Sequence, residues 1–326
     1  MRVAVTGGSG FIGAHLVAAL AARGAQVRCL LRPASDRSRL PAEAEPVVAA
    51  NLGDAAALAR LVRGCDAVVH LAGLTRSWTP RELYRVNRDG TAALCAALAR
   101  VHPAVGQLIL VSSQAAAGPS CPGRPRREED PPGPVTAYGR SKLAAERVRH
   151  RHPELPITVI RPPAVYGPGD RDIFAYFRLV RAGLRPELVP SGRLSMVYVD
   201  NLVDALLLAL ERPQHSGQRV YHVADRGVVT MREVAQWIAA AYGRPTWRVP
   251  VPQAALAVAG LPLAAAGRLL RRDLLLSRDK LSEIAQPAWV LATRRIQAEL
   301  GYRPRVSTRD GVGHTAQWYL DHGWLR

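Results

Sequence analysis

Short apolar segments alternate with longer segments rich in alanine and leucine over the first half of the chain. The apolar segments have the length of buried strands and cover 2–6, 26–31, 46–49, 65–70, 107–112 and 157–161. The intervening segments predict helices that end near Gly24 and cover 55–63, 81–101 and 137–149. Strands that alternate with helices indicate a doubly wound parallel sheet, an α/β fold of the Rossmann type.

The regular alternation ends after Arg161. Residues 162–169 are rich in proline and glycine and predict a loop, followed by a helix at 173–182. An extended piece at 194–199 leads into a helix at 200–210, and a strand at 219–223 is expected to return to the sheet. From residue 230 onward, we expect mostly helices with proline-rich joints.

The first turn of the sheet carries three glycines, Gly7, Gly10 and Gly13, between a strand and a helix. Glycine allows unusual backbone angles and close approach of a ligand, and the helix N-terminus offers free N–H groups to a phosphate. A dinucleotide-binding domain is therefore predicted at 1–163, with 196–224 returning to it. A smaller, mostly helical substrate-binding region would comprise mainly 164–195 and 225–326.

The end of the second strand suggests which dinucleotide binds. Folds of this kind often place an acid about 20 residues after the glycine loop, where it binds the adenine ribose 2′-hydroxyl. Here the strand ends at Leu31 and Arg32, with no acid in place. Because a guanidinium suits a 2′-phosphate, we expect NADP(H) to be favoured over NAD(H).

The pair Tyr138 and Lys142 carries the candidate chemistry. Only two of the 44 basic Lys and Arg residues are lysines, so each lysine invites a chemical explanation. Residues four apart share one face of a helix, and a cation beside a phenol is expected to lower the pKa of that phenol. The phenol could then exchange protons near neutral pH.

Composition excludes several other classes. The net charge of +18 comes from scattered arginines, so we expect no nucleic-acid partner. The four cysteines lie far apart without metal-ligand spacing, which predicts no metal site and reduced thiols. The chain starts directly with a strand and shows no signal peptide, so a cytoplasmic location is expected. The apolar stretch 251–267 is broken by prolines and too short to span a membrane, although a peripheral membrane contact helped by Arg268, Arg271 and Arg272 stays open.

The motifs together resemble the extended short-chain dehydrogenase/reductase family, which includes NAD(P)-dependent epimerases, dehydratases and hydroxysteroid-type dehydrogenases. The resemblance covers almost the whole chain. It is carried by the segments 6–13, 70–73, 84–91, 111–113, 161–168 and 197–201, and by Asp54, Tyr138 and Lys142.

The resemblance implies roles for individual residues. Tyr138 would be the general acid and base, Lys142 would bind the nicotinamide ribose and hold the pKa of the phenol down, and Ser113 would hydrogen-bond the reacting oxygen. Ser113 is chosen over Ser112 because it stands five residues before Gly118, as in the family. A homodimer formed by the helices 81–101 and 137–149 is expected, as in relatives. The cofactor would contact Gly7, Gly10, Phe11, Ile12, Gly13, Asp54, Leu71, Ala72, Gly73, Asn87, Pro162 and Val165.

Departures from the family narrow the reaction. The dehydratases carry an Asp-Glu pair after the catalytic Ser or Thr, but Gln114 and Ala115 stand here. Many nucleotide-sugar enzymes carry an asparagine where this chain has Ala164. The chain looks most like the 3β-hydroxysteroid dehydrogenase and dihydroflavonol reductase branches. We therefore expect oxidation of an alcohol or reduction of a ketone on a hydrophobic, steroid- or flavonoid-like substrate. The apolar segment 251–276 would form a substrate pocket or a mouth beside a membrane. A nucleotide-sugar epimerase and a non-catalytic NADP-binding sensor or structural subunit are the alternatives.

Overall fold

A seven-stranded parallel sheet organises the structure, a computed structural model that describes residues 1–187, 192–213, 218–250 and 278–325. Its strands are β1 (Arg2–Thr6), β2 (Gln26–Leu31), β3 (Glu45–Val48), β4 (Ala67–His70), β5 (Gln107–Val111), β6 (Ile157–Arg161) and β11 (Val220–His222). The sheet order is β11-β6-β5-β4-β1-β2-β3, and every neighbouring pair is parallel. The predicted Rossmann-type α/β fold is confirmed, including the late return of β11.

Helices cover both faces of this sheet, which explains why its central strands are mostly apolar. Every residue of β5 and β6 is buried. One face packs against the helices α1 (Phe11–Ala22) and α8 (Val199–Glu211), and the other against α2 (Ala55–Val62) and α4 (Gly90–Val101). Within the described residues these two buried clusters form the core of the sheet domain.

The strand order reverses between β1 and β4. From β1 the chain proceeds to β2 and β3 on one side, whereas β4, β5 and β6 extend the sheet on the other side. In parallel sheets, ligands bind at the carboxyl ends of the strands beside such a reversal. The glycine loop after Thr6 and the segment after His70 meet at this place, since Thr6 and His70 are register partners.

The helix expected at 81–101 contains an irregular turn. It consists of α3 (Pro80–Tyr84), a π-helical segment (Arg85–Asp89) and α4. The π-helical segment carries Asn87, and such segments are frequent at functional sites. The predicted homodimer formed by this helix and α6 (Ala137–Arg147) stays a prediction.

The C-terminal region has its own core, and it contains strands that the sequence did not predict. The expected loop at 162–169 is wrong in part, because β7 (Ala164–Tyr166) pairs in parallel with β10 (Met196–Tyr198). The buried Asp225 holds β7 and β10 together, since it accepts hydrogen bonds from Tyr166 Oη at 3.0 Å and from the Tyr198 backbone N–H at 3.0 Å.

The short helix α5 (Gln114–Ala117) follows β5 of the central sheet. The further elements of the C-terminal region are α7 (Phe174–Arg181), β8 (Leu184–Glu187), β9 (Arg193–Leu194), β12 (Val229–Thr230), α9 (Met231–Ala241), β13 (Trp247–Pro250), α10 (Arg278–Ile284), β14 (Ala288–Trp289), α11 (Arg294–Leu300) and α12 (Thr308–Asp321). The apolar pocket expected at 251–276 and the basic cluster at Arg268 to Arg272 lie outside the described residues. Among the helices that are described, none is both long and apolar enough to cross a membrane.

Candidate functional site

The glycine loop lies against the backbone that follows β4. Gly7 has a φ of +75°, and a Cβ atom there would lie 2.7 Å from the Ala72 backbone nitrogen. A Cβ atom at Gly13 would collide with the Gly7 carbonyl oxygen. Only glycine fits these two positions, because the space that a side chain would need is occupied by neighbouring backbone.

The N-terminus of α1 faces this loop. Gly10 is its N-cap and brings no side-chain cap, so the first N–H groups, including those of Phe11, Ile12 and Gly13, remain available to an anion. Phe11 and Ile12 are partly exposed there. The cradle left by the glycines and the uncapped helix end fit the pyrophosphate of a dinucleotide.

A chain of hydrogen bonds connects the glycine loop with the π-helical segment. The His70 ring is hydrogen-bonded to two threonine hydroxyls. Its Nδ1 lies 2.6 Å from Thr6 Oγ1, and its Nε2 lies 3.1 Å from Thr91 Oγ1. Thr91 Oγ1 donates to the Asn87 carbonyl at 2.6 Å, so it accepts from His70 Nε2–H. Thr6 Oγ1 therefore donates to Nδ1 and accepts from the Ala72 N–H at 3.2 Å. Burial lowers the pKa of His70 to about 3, which keeps the ring neutral and fixes this tautomer.

The side chain of Asn87 continues the chain of contacts toward α6. Its amide exchanges two hydrogen bonds with the Leu74 backbone, at 2.8 and 2.9 Å, and donates to Ser141 Oγ at 2.9 Å. Ser141 Oγ donates in turn to the Tyr138 carbonyl at 2.7 Å. Asn87 also lies against Gly73, where a Cβ atom would approach Asn87 Oδ1 to 2.9 Å.

Tyr138 and Ser113 meet at the carboxyl end of β5. Thr136 caps α6 by accepting from the Gly139 N–H at 3.0 Å, and this places Tyr138 in the first turn of the helix. Burial raises the pKa of Tyr138 to about 12, while the neighbouring Ser113 hydroxyl lowers it and the carboxylates of Glu283 and Asp172 raise it further. The expected lowering of this pKa is therefore wrong for this structure, in which burial of the phenol raises it.

Lys142 is buried beside this pair, and its ammonium contacts the sheet. Nζ donates to the Val111 carbonyl at 2.7 Å and lies 3.7 Å from the place that a Gly73 Cβ would occupy. Burial lowers the pKa of Lys142 to about 8, and the Glu146 carboxylate raises it. The ammonium is thus held by a strand carbonyl at the mouth of the crevice.

The two neighbouring serines have different surroundings. Ser112 is buried and donates to Glu146 Oε1 at 2.5 Å. Glu146 is also paired with Arg161, at 2.6 Å between Oε2 and NH2. Ser113 instead faces Tyr138, and its oxygen accepts from the Ala115 N–H at 3.1 Å. The geometry accordingly brings Ser113, and not Ser112, to the phenol.

The remaining predicted residues line the same edge of the sheet at different distances from Tyr138. Asp54 caps α2 by accepting from the Ala57 N–H at 2.9 Å. Arg32 is exposed after β2, where its backbone N–H donates to Ser35 Oγ at 3.0 Å. The Pro162 carbonyl accepts from the Gln114 N–H at 2.8 Å. Val165, three residues after Pro162, and Leu71, directly after β4, are both partly exposed.

Sequence reasoning missed the supporting residues Thr6, Thr91, Ser141 and Glu146. A signal existed for Glu146, because it follows Lys142 by four residues and therefore shares the face of α6 that carries Tyr138. The His70 contacts could not be found in this way, since they join residues that are 64 and 21 positions apart. No group of residues suited to hold a metal ion occurs in the described part of the chain.

Comparison with known sequences and structures identifies the family of this chain. The family model described as "NAD dependent epimerase/dehydratase family" matches residues 3–224. The chain is 33% identical to a ceramide reductase of Caulobacter vibrioides, over 99% of this chain and 96% of the relative. It is 30% identical to a 4-hydroxy-2-methyl-3-oxo-4-farnesyl-3,4-dihydroquinoline-1-oxide ketoreductase of Stigmatella aurantiaca, over 96% and 95% of the two chains.

A solved structure of the UDP-glucose 4-epimerase of Thermus thermophilus in complex with NAD has a TM-score of 0.78 and 25% identity. The alignment covers 98% of this chain and 99% of that chain. The protein belongs to the NAD-dependent epimerase/dehydratase family, the extended short-chain type of nicotinamide-dependent enzymes.

Proposed function

We propose that this protein is an oxidoreductase that transfers a hydride between NADP(H) and a secondary alcohol or ketone of a hydrophobic substrate. The observation that carries the proposal is the position of the Ser113 hydroxyl beside the Tyr138 phenol, with Lys142 one helical turn further on. These three groups supply a proton donor, a second hydrogen-bond donor and a cation at one place.

Tyr138 can serve as the proton donor when a ketone is reduced. With a pKa of about 12, the phenol carries its proton at neutral pH and can donate it to a substrate carbonyl oxygen. Ser113 would donate a second hydrogen bond to the same oxygen and stabilise the negative charge that develops there. The bound cofactor would supply the hydride from C4 of its reduced nicotinamide.

The other residues would hold the cofactor. The loop at Gly7, Gly10 and Gly13 and the helix end at Phe11 and Ile12 suit the pyrophosphate. The carboxylate of Asp54 suits the adenine amino group, although one of its oxygens is used as a helix cap. The nicotinamide half would contact the residues along the crevice, namely Leu71, Ala72, Gly73, Asn87, Lys142, Pro162 and Val165.

Arg32 supports the preference for NADP(H). Its side chain is exposed at the carboxyl end of β2, where an acid would select NAD(H). Titration of the purified protein should show tighter binding of NADPH than of NADH, and Arg32→Ala should weaken binding of NADPH alone. Equal affinity for the two cofactors in both proteins would refute this role.

The hydrophobic character of the substrate is supported by two relatives whose names specify ceramide and a farnesylated quinoline oxide. Ala164, which stands where many nucleotide-sugar enzymes carry asparagine, is exposed in β7 and offers no polar group there. Similarity to a UDP-glucose 4-epimerase supports the epimerase as the second candidate. A product assay with UDP-glucose distinguishes the two, because epimerisation leaves no net change in reduced cofactor.

The decisive experiment is a substrate screen with Tyr138→Phe as the control. Long-chain keto lipids and sterol-like ketones are offered with NADPH, and loss of the absorbance of reduced nicotinamide is followed. Turnover by the unmodified protein should fall at least about 10²-fold in Tyr138→Phe, whereas binding of NADPH should persist. Near-normal turnover by this variant would disprove the assigned mechanism.

A further inference from the structure

The C-terminal region contains a two-stranded ribbon with an exposed apolar face. It consists of β8 and β13, which pair in parallel with Trp247 opposite Leu184 and Val249 opposite Pro186. Alternation along the strands places these four side chains on one face of the ribbon. Trp247 is 78% exposed, Leu184 43% and Val249 38%. Three large apolar residues on one face are unusual on a surface without a binding role.

The opposite face of the ribbon is charged and internally paired. Glu187 is almost buried and contacts Arg248 Nε at 2.5 Å and Arg185 NH2 at 3.6 Å. The charges on this face are therefore paired within the ribbon, while the large apolar side chains of the other face are exposed.

Arginines are concentrated in the segments that contain the ribbon. The segments 174–187 and 242–250 together contain five arginines, and Glu187 is their single carboxylate. Arg178, Arg181 and Arg244 line a common groove beside Ala182. The adjacent Gly183 carbonyl accepts from the Trp247 N–H at 2.7 Å, which joins this groove to the ribbon.

We propose that this surface, formed by Trp247, Leu184, Val249, Arg178 and Arg244, docks the protein on an anionic lipid bilayer. Tryptophan prefers the boundary between headgroups and acyl chains, because its ring is apolar and its N–H is polar. Arginines at the rim would contact headgroup phosphates, and the net charge of +18 would attract the chain to an anionic surface. A nucleic acid would leave the aliphatic residues unused, and a second copy would bring like-charged rims together.

Vesicle co-sedimentation of the full chain tests the proposal. Vesicles of phosphatidylcholine mixed with phosphatidylglycerol should bind the protein, vesicles of phosphatidylcholine alone should bind it much less, and added salt should release it. Trp247→Ser should weaken binding about tenfold or more. Arg244→Glu should weaken it at least about fivefold, whereas Arg63→Glu on a distant exposed position should change it far less.

A matched pair of valines separates this surface from general surface apolarity. Val249 is 38% exposed on the ribbon and Val48 is 42% exposed on β3, so Val249→Ser and Val48→Ser remove equivalent groups. Only Val249→Ser should weaken vesicle binding. Lipids brominated on their acyl chains should quench tryptophan fluorescence in the unmodified protein and quench it less in Trp247→Phe.

Three results would overturn the proposal. They are equal effects of the two valine substitutions, failure of the protein to bind anionic vesicles, and quenching that is unchanged in Trp247→Phe. A shift in sedimentation coefficient with Trp247→Ser in the absence of lipid would assign the surface to a second copy of the chain instead. None of the substituted residues contacts the Ser113 and Tyr138 pair in the described structure, so cofactor binding should stay unchanged and serves as the folding control.

Discussion

Arg161 donates two hydrogen bonds to the carboxylate of Glu146, from Nε to Oε1 at 2.9 Å and from NH2 to Oε2 at 2.6 Å. Both side chains are buried, with exposures of 6% and 4%. The pair joins the end of β6 to the last turn of α6, one turn after Lys142. It therefore supports the helix that carries Tyr138 and also contributes a negative charge that raises the pKa of Lys142.

We expect Glu146→Gln to destabilise the fold and to change the titration of Lys142. Removal of one partner leaves the Arg161 guanidinium buried without its counter-charge, which costs about 3 kcal/mol. The pKa of Lys142 should fall below its value of about 8, because the carboxylate that raises it is gone. Urea denaturation measures the first effect, and the pH dependence of NADPH binding measures the second.

Glu154→Gln provides the control for this substitution. Glu154 is 46% exposed and is paired with His152 at the surface, so its loss should change the free energy of unfolding by less than about 0.5 kcal/mol. Similar stability of the two variants, or an unchanged pH dependence in Glu146→Gln, would contradict the role of the buried pair.

Ser112 and Ser113 should respond to alanine in opposite ways. Ser112→Ala removes the hydrogen bond to Glu146 and should lower the free energy of unfolding by about 1–2 kcal/mol while turnover continues. Ser113→Ala removes the partner of Tyr138 and should lower kcat about 10²-fold with little change in stability. Thermal denaturation and steady-state kinetics of both variants decide the assignment, and the reverse pattern would exchange the two roles.

Much of this arrangement follows from local sequence patterns, and the remainder depends on contacts between distant residues. The central strands, the glycine turn and the cap at Asp54 are local features, so their positions were predicted closely. The strand β7 was missed because it pairs with Met196–Tyr198, about 30 residues later in the chain.

The pKa of Tyr138 was predicted in the wrong direction for a related reason. Sequence spacing shows that Lys142 is adjacent on the helix, but it does not show how deeply the phenol is buried or that Nζ bonds to the Val111 carbonyl. Burial depends on the whole fold, and in this structure burial raises the pKa of the phenol.

His70 should remain neutral far below the usual pKa of histidine. Its pKa is about 3 in the folded protein and about 6.5 when unfolded, so the unfolded chain binds more protons between these values. Stability contributed by His70 is complete well above pH 6.5 and is lost as the pH falls toward 3, by about 2 kcal/mol between pH 6.5 and 4.5.

Comparison of urea denaturation for the unmodified protein and His70→Gln over this range measures this loss, with exposed His150→Gln as the control. Nitrogen NMR should show the Nε2–H tautomer at pH 5. An imidazole that titrates near 6.5 would show that burial does not hold the ring neutral.

Gly7 and Gly24 form a matched pair that isolates the close approach at the crevice. Their φ angles are +75° and +73°, but a Cβ atom at Gly7 would meet the Ala72 backbone at 2.7 Å, whereas one at Gly24 would meet nothing within 4 Å. Gly24→Ala should therefore cost only the backbone term of about 1 kcal/mol. Gly7→Ala should cost clearly more, because the backbone of Ala72 must move, and it should weaken NADPH binding at least about tenfold, since both Gly7 and Ala72 are proposed to contact the cofactor. Chemical denaturation and cofactor titration of the two variants provide the comparison, and equal losses in both measurements would show that the contact with Ala72 is not what requires glycine in this loop.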